Sequence, residues 1–183
     1  MRLSHIILPV GLSILLVSFA APAQKRKSRV ASSSKPAPVK PVVKPINTDD
    51  LKALISKQKD KPLLVNFWAT WCDPCRDEFP DLVKIDGEFR PQSLDFVTVS
   101  LDEMTELTTG VPQFLVQMKA TMPTFLLNVS DPEPAINAVD PKWQGDLPAT
   151  FLYNEKGEVV FKHFGRVDTA ELRIAIEKAV KKS

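Results

Sequence analysis

Two cysteines stand in Trp71-Cys72-Asp73-Pro74-Cys75, and they are the only two in the chain. A pair at this spacing can close a small reversible disulfide, bind a metal or carry a haem. A structural zinc site wants four ligands, and beyond the cysteines the chain offers only His5 and His163 as imidazoles. Covalent haem attachment wants His directly after the second cysteine, and that position is Arg76. As a staple the bond would be weak: loop entropy assigns about 2 kcal/mol to a loop of about 4 residues, against about 3 for about 15. A redox couple is the chemistry left.

The neighbouring elements must position that couple. Leu63-Leu64-Val65-Asn66-Phe67-Trp68 is a mostly apolar run and reads as a buried strand. A helix is expected from about Asp73 to Phe89, with Pro80 inside it as a kink. Cys72 then sits at a helix N-terminus, where free amides and the macrodipole stabilise a thiolate, and Cys75 lies one turn later. Before this unit, Thr48 is expected to cap a helix running to about Lys59, with Asp49 and Asp50 in its first turn. After it, strands are expected over 94–101 and 124–127, and helices over 112–119 and 134–139. A hairpin turning at Asn154-Glu155-Lys156-Gly157 joins strands over 150–153 and 158–164. A closing amphipathic helix over 169–182 places Leu172, Ile176 and Ala179 on one face, with Ile174 alongside. Strands alternating with helices imply an α/β fold with a mixed sheet.

The segment from Asn66 to Arg76 resembles the thioredoxin superfamily, and its continuation Arg76-Asp77-Glu78-Phe79-Pro80 resembles the TlpA-like and ResA-like thiol-disulfide oxidoreductases. The resemblance spans residues 47–183. It implies a thioredoxin fold, a central mixed sheet flanked by helices, with a mid-domain insertion. It also implies a redox disulfide, Cys72–Cys75, in which Cys72 attacks a substrate disulfide and Cys75 resolves the mixed disulfide. No metal or cofactor is expected. A peroxidase would need Thr-x-x-Cys, and Thr70 stands only two residues before Cys72.

The same resemblance implies a cis-proline facing the redox pair. Pro123 and Pro148 compete for this role, and only Pro148 precedes the order strand, turn, strand, helix. Pro148 is therefore preferred, which makes 103–146 the insertion. Leu147 would offer backbone hydrogen bonds to a docked peptide, and Trp71 would line the substrate groove. Trp143 could cover the disulfide or pack. Small thioredoxins carry a buried Asp in the strand before the motif, and here that position is Asn66, which cannot act as a base. Cys75 then needs another proton acceptor. Glu103 resembles the acid that ResA-like proteins place near the pair, and Asp102 is its rival by position. Asp73, beside Cys72, opposes the dipole and with Pro74 points to a reductant.

Charge is divided along the chain. Residues 24–46 hold seven basic side chains and no acid, whereas residues 47–183 hold 16 basic against 22 acidic. The overall net charge of +2 excludes the basic excess typical of nucleic-acid binding. Arg2, the apolar run from Ile6 to Ala21 and Ala21-Pro22-Ala23 read as a signal peptide over 1–23. The run is shorter than the roughly 20 residues a membrane-spanning helix needs; an uncleaved anchor is the alternative. Residues 24–46, rich in Lys, Ser and Pro, read as a disordered linker whose charge could rest on an anionic membrane surface. These segments imply a periplasmic or otherwise extracytoplasmic domain, and the resemblance implies that it acts on protein disulfides and is recharged by an upstream thiol donor. The alternative is a non-catalytic thioredoxin-fold binding module.

Overall fold

The computed structural model describes residues 41–56 and 60–181. The expected signal peptide, and the expected linker as far as residue 40, lie outside them. Six strands form one sheet: β1 (Val43–Ile46), β2 (Leu63–Trp68), β3 (Asp95–Ser100), β4 (Thr124–Leu127), β5 (Ala149–Tyr153) and β6 (Val159–Phe164). Their order across the sheet is β1-β4-β3-β2-β5-β6. The first four of these are mutually parallel, and β5 and β6 run antiparallel to their neighbours. The helices are α1 (Thr48–Ser56), α2 (Asp73–Phe89), α3 (Gly110–Met118), α4 (Glu133–Val139) and α5 (Thr169–Val180).

Strand β2 is buried along its whole length at the centre of the sheet. Its alternating side chains therefore feed two cores. Leu64 and Trp68 join Phe79, Leu82 and Ile85 of α2, Phe114 of α3, and Leu172 and Ile176 of α5. Leu63, Val65 and Phe67 join Leu51 and Ile55 of α1, Ala135 and Val139 of α4, and Trp143. The architecture is thus a sheet covered by helices on both faces. Among the described residues no helix is long and apolar enough to cross a membrane.

Several expectations are corrected. The linker does not extend to residue 46, because Val43–Ile46 is an edge strand paired with Thr124–Leu127. Ile46 is buried there, and Pro45, which lacks an amide donor, is tolerated at a sheet edge. The cap of α1 is Asn47 rather than Thr48: its Oδ1 accepts from the Asp50 amide at 2.9 Å. Ile174 does not share the buried face of α5 but is exposed, and α5 is capped by Asp168, which accepts from the amides of Ala170 and Glu171. Residues 103–146, the expected insertion, contribute β4 to the sheet, between β3 and β1.

Candidate active site

The site begins where β2 ends. Its last residue, Trp68, pairs with Ser100 of β3, and the chain turns through Ala69, Thr70 and Trp71 into α2. Cys72 is the N-cap of α2, in extended conformation, with Pro74 in the first turn. Proline suits that place because its missing amide has no partner there in any case. The Cys75 amide points at the Cys72 sulfur, 3.2 Å away. This donor, with the positive end of the helix dipole, favours negative charge on Cys72 Sγ once the bond is reduced. Here the two cysteines are joined as a disulfide, their Cα atoms 5.3 Å apart. Cys72 retains 5% of its surface and Cys75 none. Trp71, just before the pair, is 68% exposed.

The Leu147–Pro148 peptide bond is cis, the only such bond among the described residues. Pro148 immediately precedes β5, the antiparallel neighbour of β2. Its carbonyl accepts from the amide of Gly165 at 2.8 Å. Trp143 packs into the core with Phe67 and Phe151, and does not lie on the surface as a cover.

Sequence reasoning missed Glu78. It lies one turn beyond Cys75, on a stretch of α2 whose buried residues are Cys75, Glu78, Phe79 and Leu82. Its Oε1 accepts from Asn66 Nδ2 at 3.0 Å, and its Oε2 accepts from the Val167 amide at 2.9 Å. Asn66 also donates to Thr150 Oγ1 of β5 at 3.1 Å. Burial pushes the Glu78 carboxyl up from 4.5 to about 7, against the opposing pull of the Val167 amide, the Asn66 amide and the Arg166 charge. The carboxyl is therefore poised to exchange a proton near neutral pH. The available signal was the helix period, which puts an acid on an otherwise apolar face three positions after Cys75.

The acids after β3 sit differently. Glu103 is exposed, at the start of a short 3-10 turn over Met104–Glu106. Asp102 is buried and bonded to Thr70 and Ser100. Glu78, one turn after Cys75, is instead buried against Asn66 and the Val167 amide. Arg76 reaches back to the Thr70 carbonyl at 3.2 Å and lies over the Phe114 ring, 5.5 Å from its centroid. His163 is on β6, opposite Thr150. Among the described residues no group of three His, Cys, Asp or Glu side chains could hold a metal ion.

Comparison with known proteins agrees with this geometry. The AhpC/TSA family profile matches residues 38–162. The thiol-disulfide oxidoreductase ResA of Halalkalibacterium halodurans is 33% identical over 105 residues, 57% of this chain and 54% of that protein. Its namesake in Bacillus subtilis is 31% identical over 114 residues, 62% of this chain and 59% of that protein. The chain thus spans little more than half the length of these relatives. A putative thiol:disulfide interchange protein DsbE from Chlorobium tepidum superposes with a TM-score of 0.54 at 25% identity, covering 67% of this chain and 82% of that one. With a profile match over well more than half its length and this sheet order, the chain belongs to the AhpC/TSA family and has the thioredoxin fold.

Proposed function

We propose that the chain is an extracytoplasmic thiol-disulfide oxidoreductase that reduces disulfides of secreted proteins through Cys72 and Cys75. One observation carries the reading: the disulfide joins a helix-capping cysteine that keeps 5% of its surface to a fully buried one. The names of the relatives support the same chemistry. The apolar leader and basic linker in the sequence support the location.

In the reduced protein, Cys72 attacks one sulfur of a substrate disulfide. That S–S bond breaks, and one substrate sulfur leaves as a thiolate that takes a proton from water. A mixed disulfide joins Cys72 to the other. Cys75 then gives its proton to Glu78 and attacks Cys72 Sγ. The Cys72–Cys75 bond forms, the mixed disulfide breaks, and the second substrate sulfur leaves as a thiolate that takes a proton from water. Two electrons pass from the protein to the substrate, and an upstream dithiol restores them. Trp71 and the Leu147 backbone form the substrate-facing rim, with Pro148 beside the pair. Residues 103–146 are the insertion that distinguishes the chain from small thioredoxins.

Two measurements test this. Alkylation of the reduced protein labels Cys72 before Cys75, because Cys72 is the more accessible and the better stabilised as a thiolate; preferential labelling of Cys75 reverses the roles. With dithiothreitol as electron source, the protein accelerates reduction of insulin, and Cys72→Ser abolishes the acceleration. Wild-type protein that leaves insulin untouched is instead a non-catalytic binding module.

A further inference from the structure

Asp102 is a buried carboxylate that the exchange steps do not use. It lies just beyond the end of β3, and the ladder there is continued by the Leu101 amide, which donates to the Trp68 carbonyl at 2.8 Å. Asp102 is thereby delivered beside the turn that leads to the cysteines. Its Oδ1 accepts from the Thr70 hydroxyl at 2.6 Å and the Thr70 amide at 3.2 Å. Its Oδ2 accepts from the same amide at 3.0 Å and from the Ser100 hydroxyl at 2.6 Å. Its own amide donates to the Ser100 hydroxyl at 3.0 Å. On the other side, the Thr70 carbonyl accepts from Arg76 Nη1. Every polar group of Thr70 is therefore held.

The next residue is Trp71, whose indole is mostly in solvent. A side chain with so little packing is oriented chiefly through its backbone, and that backbone is fixed one residue earlier by Asp102. We infer that Asp102 is a positioning residue: through Thr70 it holds Trp71 as a rigid platform on which a protein substrate docks beside Cys72. This inference rests on the reading of Cys72 and Cys75 as an exchange pair. Preorganisation of this kind appears in binding, because a loose platform must be ordered each time a substrate docks.

The test is insulin reduction with dithiothreitol, comparing wild type, Asp102→Ala, Asp102→Asn, Trp71→Ala and the Asp102→Ala/Trp71→Ala double variant. Asp102→Ala raises KM about tenfold, with kcat within about threefold of wild type, as expected for losing binding without losing chemistry. Asp102→Asn retains an acceptor for the Thr70 amide and restores KM to within about threefold. The double variant is no worse than Trp71→Ala alone, because the two residues act as one unit. If Asp102→Ala does not fold, Thr70→Val, which removes only the hydroxyl arm, raises KM about threefold. A merely structural Asp102 would lower the unfolding midpoint yet leave the KM of the folded protein unchanged and add independently to Trp71→Ala; either result overturns the inference. Wild-type protein inactive on insulin removes the reading of the site, and the positioning role with it. Active wild-type protein whose KM ignores Asp102 removes the positioning role alone.

Discussion

Glu78→Gln is expected to slow resolution of the mixed disulfide by about 100-fold at neutral pH, the low end of what a positioned proton acceptor contributes. Gln keeps the size of the side chain and cannot take the Cys75 proton, so resolution must wait for water. Glu103→Gln is the matched control, because Glu103 is exposed and its loss removes no buried group. The two variants are compared by following release of a labelled substrate thiol from the mixed disulfide. Equal rates for Glu78→Gln and wild type would return the role to water.

The same residue gives the oxidised protein a pH-dependent stability of definite sign. The carboxyl ionises at about 7 in the fold against 4.5 ordinarily, because burial disfavours its charged form. Below 4.5 it is protonated in both states, and its contribution is fully present. As the pH rises from 4.5 to about 7 the unfolded chain ionises first, and up to about 3 kcal/mol of stability is lost. Denaturant unfolding from pH 4.5 to 8 should therefore slope downward for wild type and less steeply for Glu78→Gln. Identical slopes would contradict this.

Trp143→Ala is expected to destabilise the protein by about 3–5 kcal/mol, the usual cost of emptying a buried Trp site. The indole is 2% exposed and lies 4.7 Å from Phe67 and 5.8 Å from Phe151, centroid to centroid. Its N–H donates to the Asp146 carbonyl at 2.9 Å. The loop around it has little freedom to collapse into the gap. Gly145 has φ +86°, and a Cβ there would come within 2.9 Å of Ile136. Denaturant unfolding of the oxidised protein measures the loss, and a change under about 1 kcal/mol would mean that the loop closes over the cavity.

The sequence made the centre of the fold legible and its margins less so. Strand β2 and helix α2 could be read because an uninterrupted apolar run and a proline-led helix start leave few alternatives. The order of elements after Pro148 likewise singled out that proline over Pro123, and the Leu147–Pro148 bond is the cis one. Strand β1 was hidden because Lys44 and Pro45 resemble the linker that precedes them, and only its partner β4 makes it a strand. Glu78 was passed over because an acid on a helix ordinarily faces water; the phase of α2 relative to the sheet decides otherwise, and one sequence does not show that phase. Position at a strand end does not separate Glu103 from Asp102, and the resemblance alone favours Glu103; the turn of the backbone after β3 sends the Asp102 carboxylate inward and that of Glu103 out.

The central claim is that Cys72 exchanges disulfides and Cys75 resolves them. Reduced Cys75→Ala protein mixed with a disulfide-containing polypeptide such as insulin tests it most directly, because only the resolving step is removed. The account predicts a covalent adduct, mapped by mass spectrometry to Cys72, that persists until a thiol is added, while wild-type protein treated alike carries almost none. No adduct on Cys72, or an equally persistent one on wild type, would contradict it.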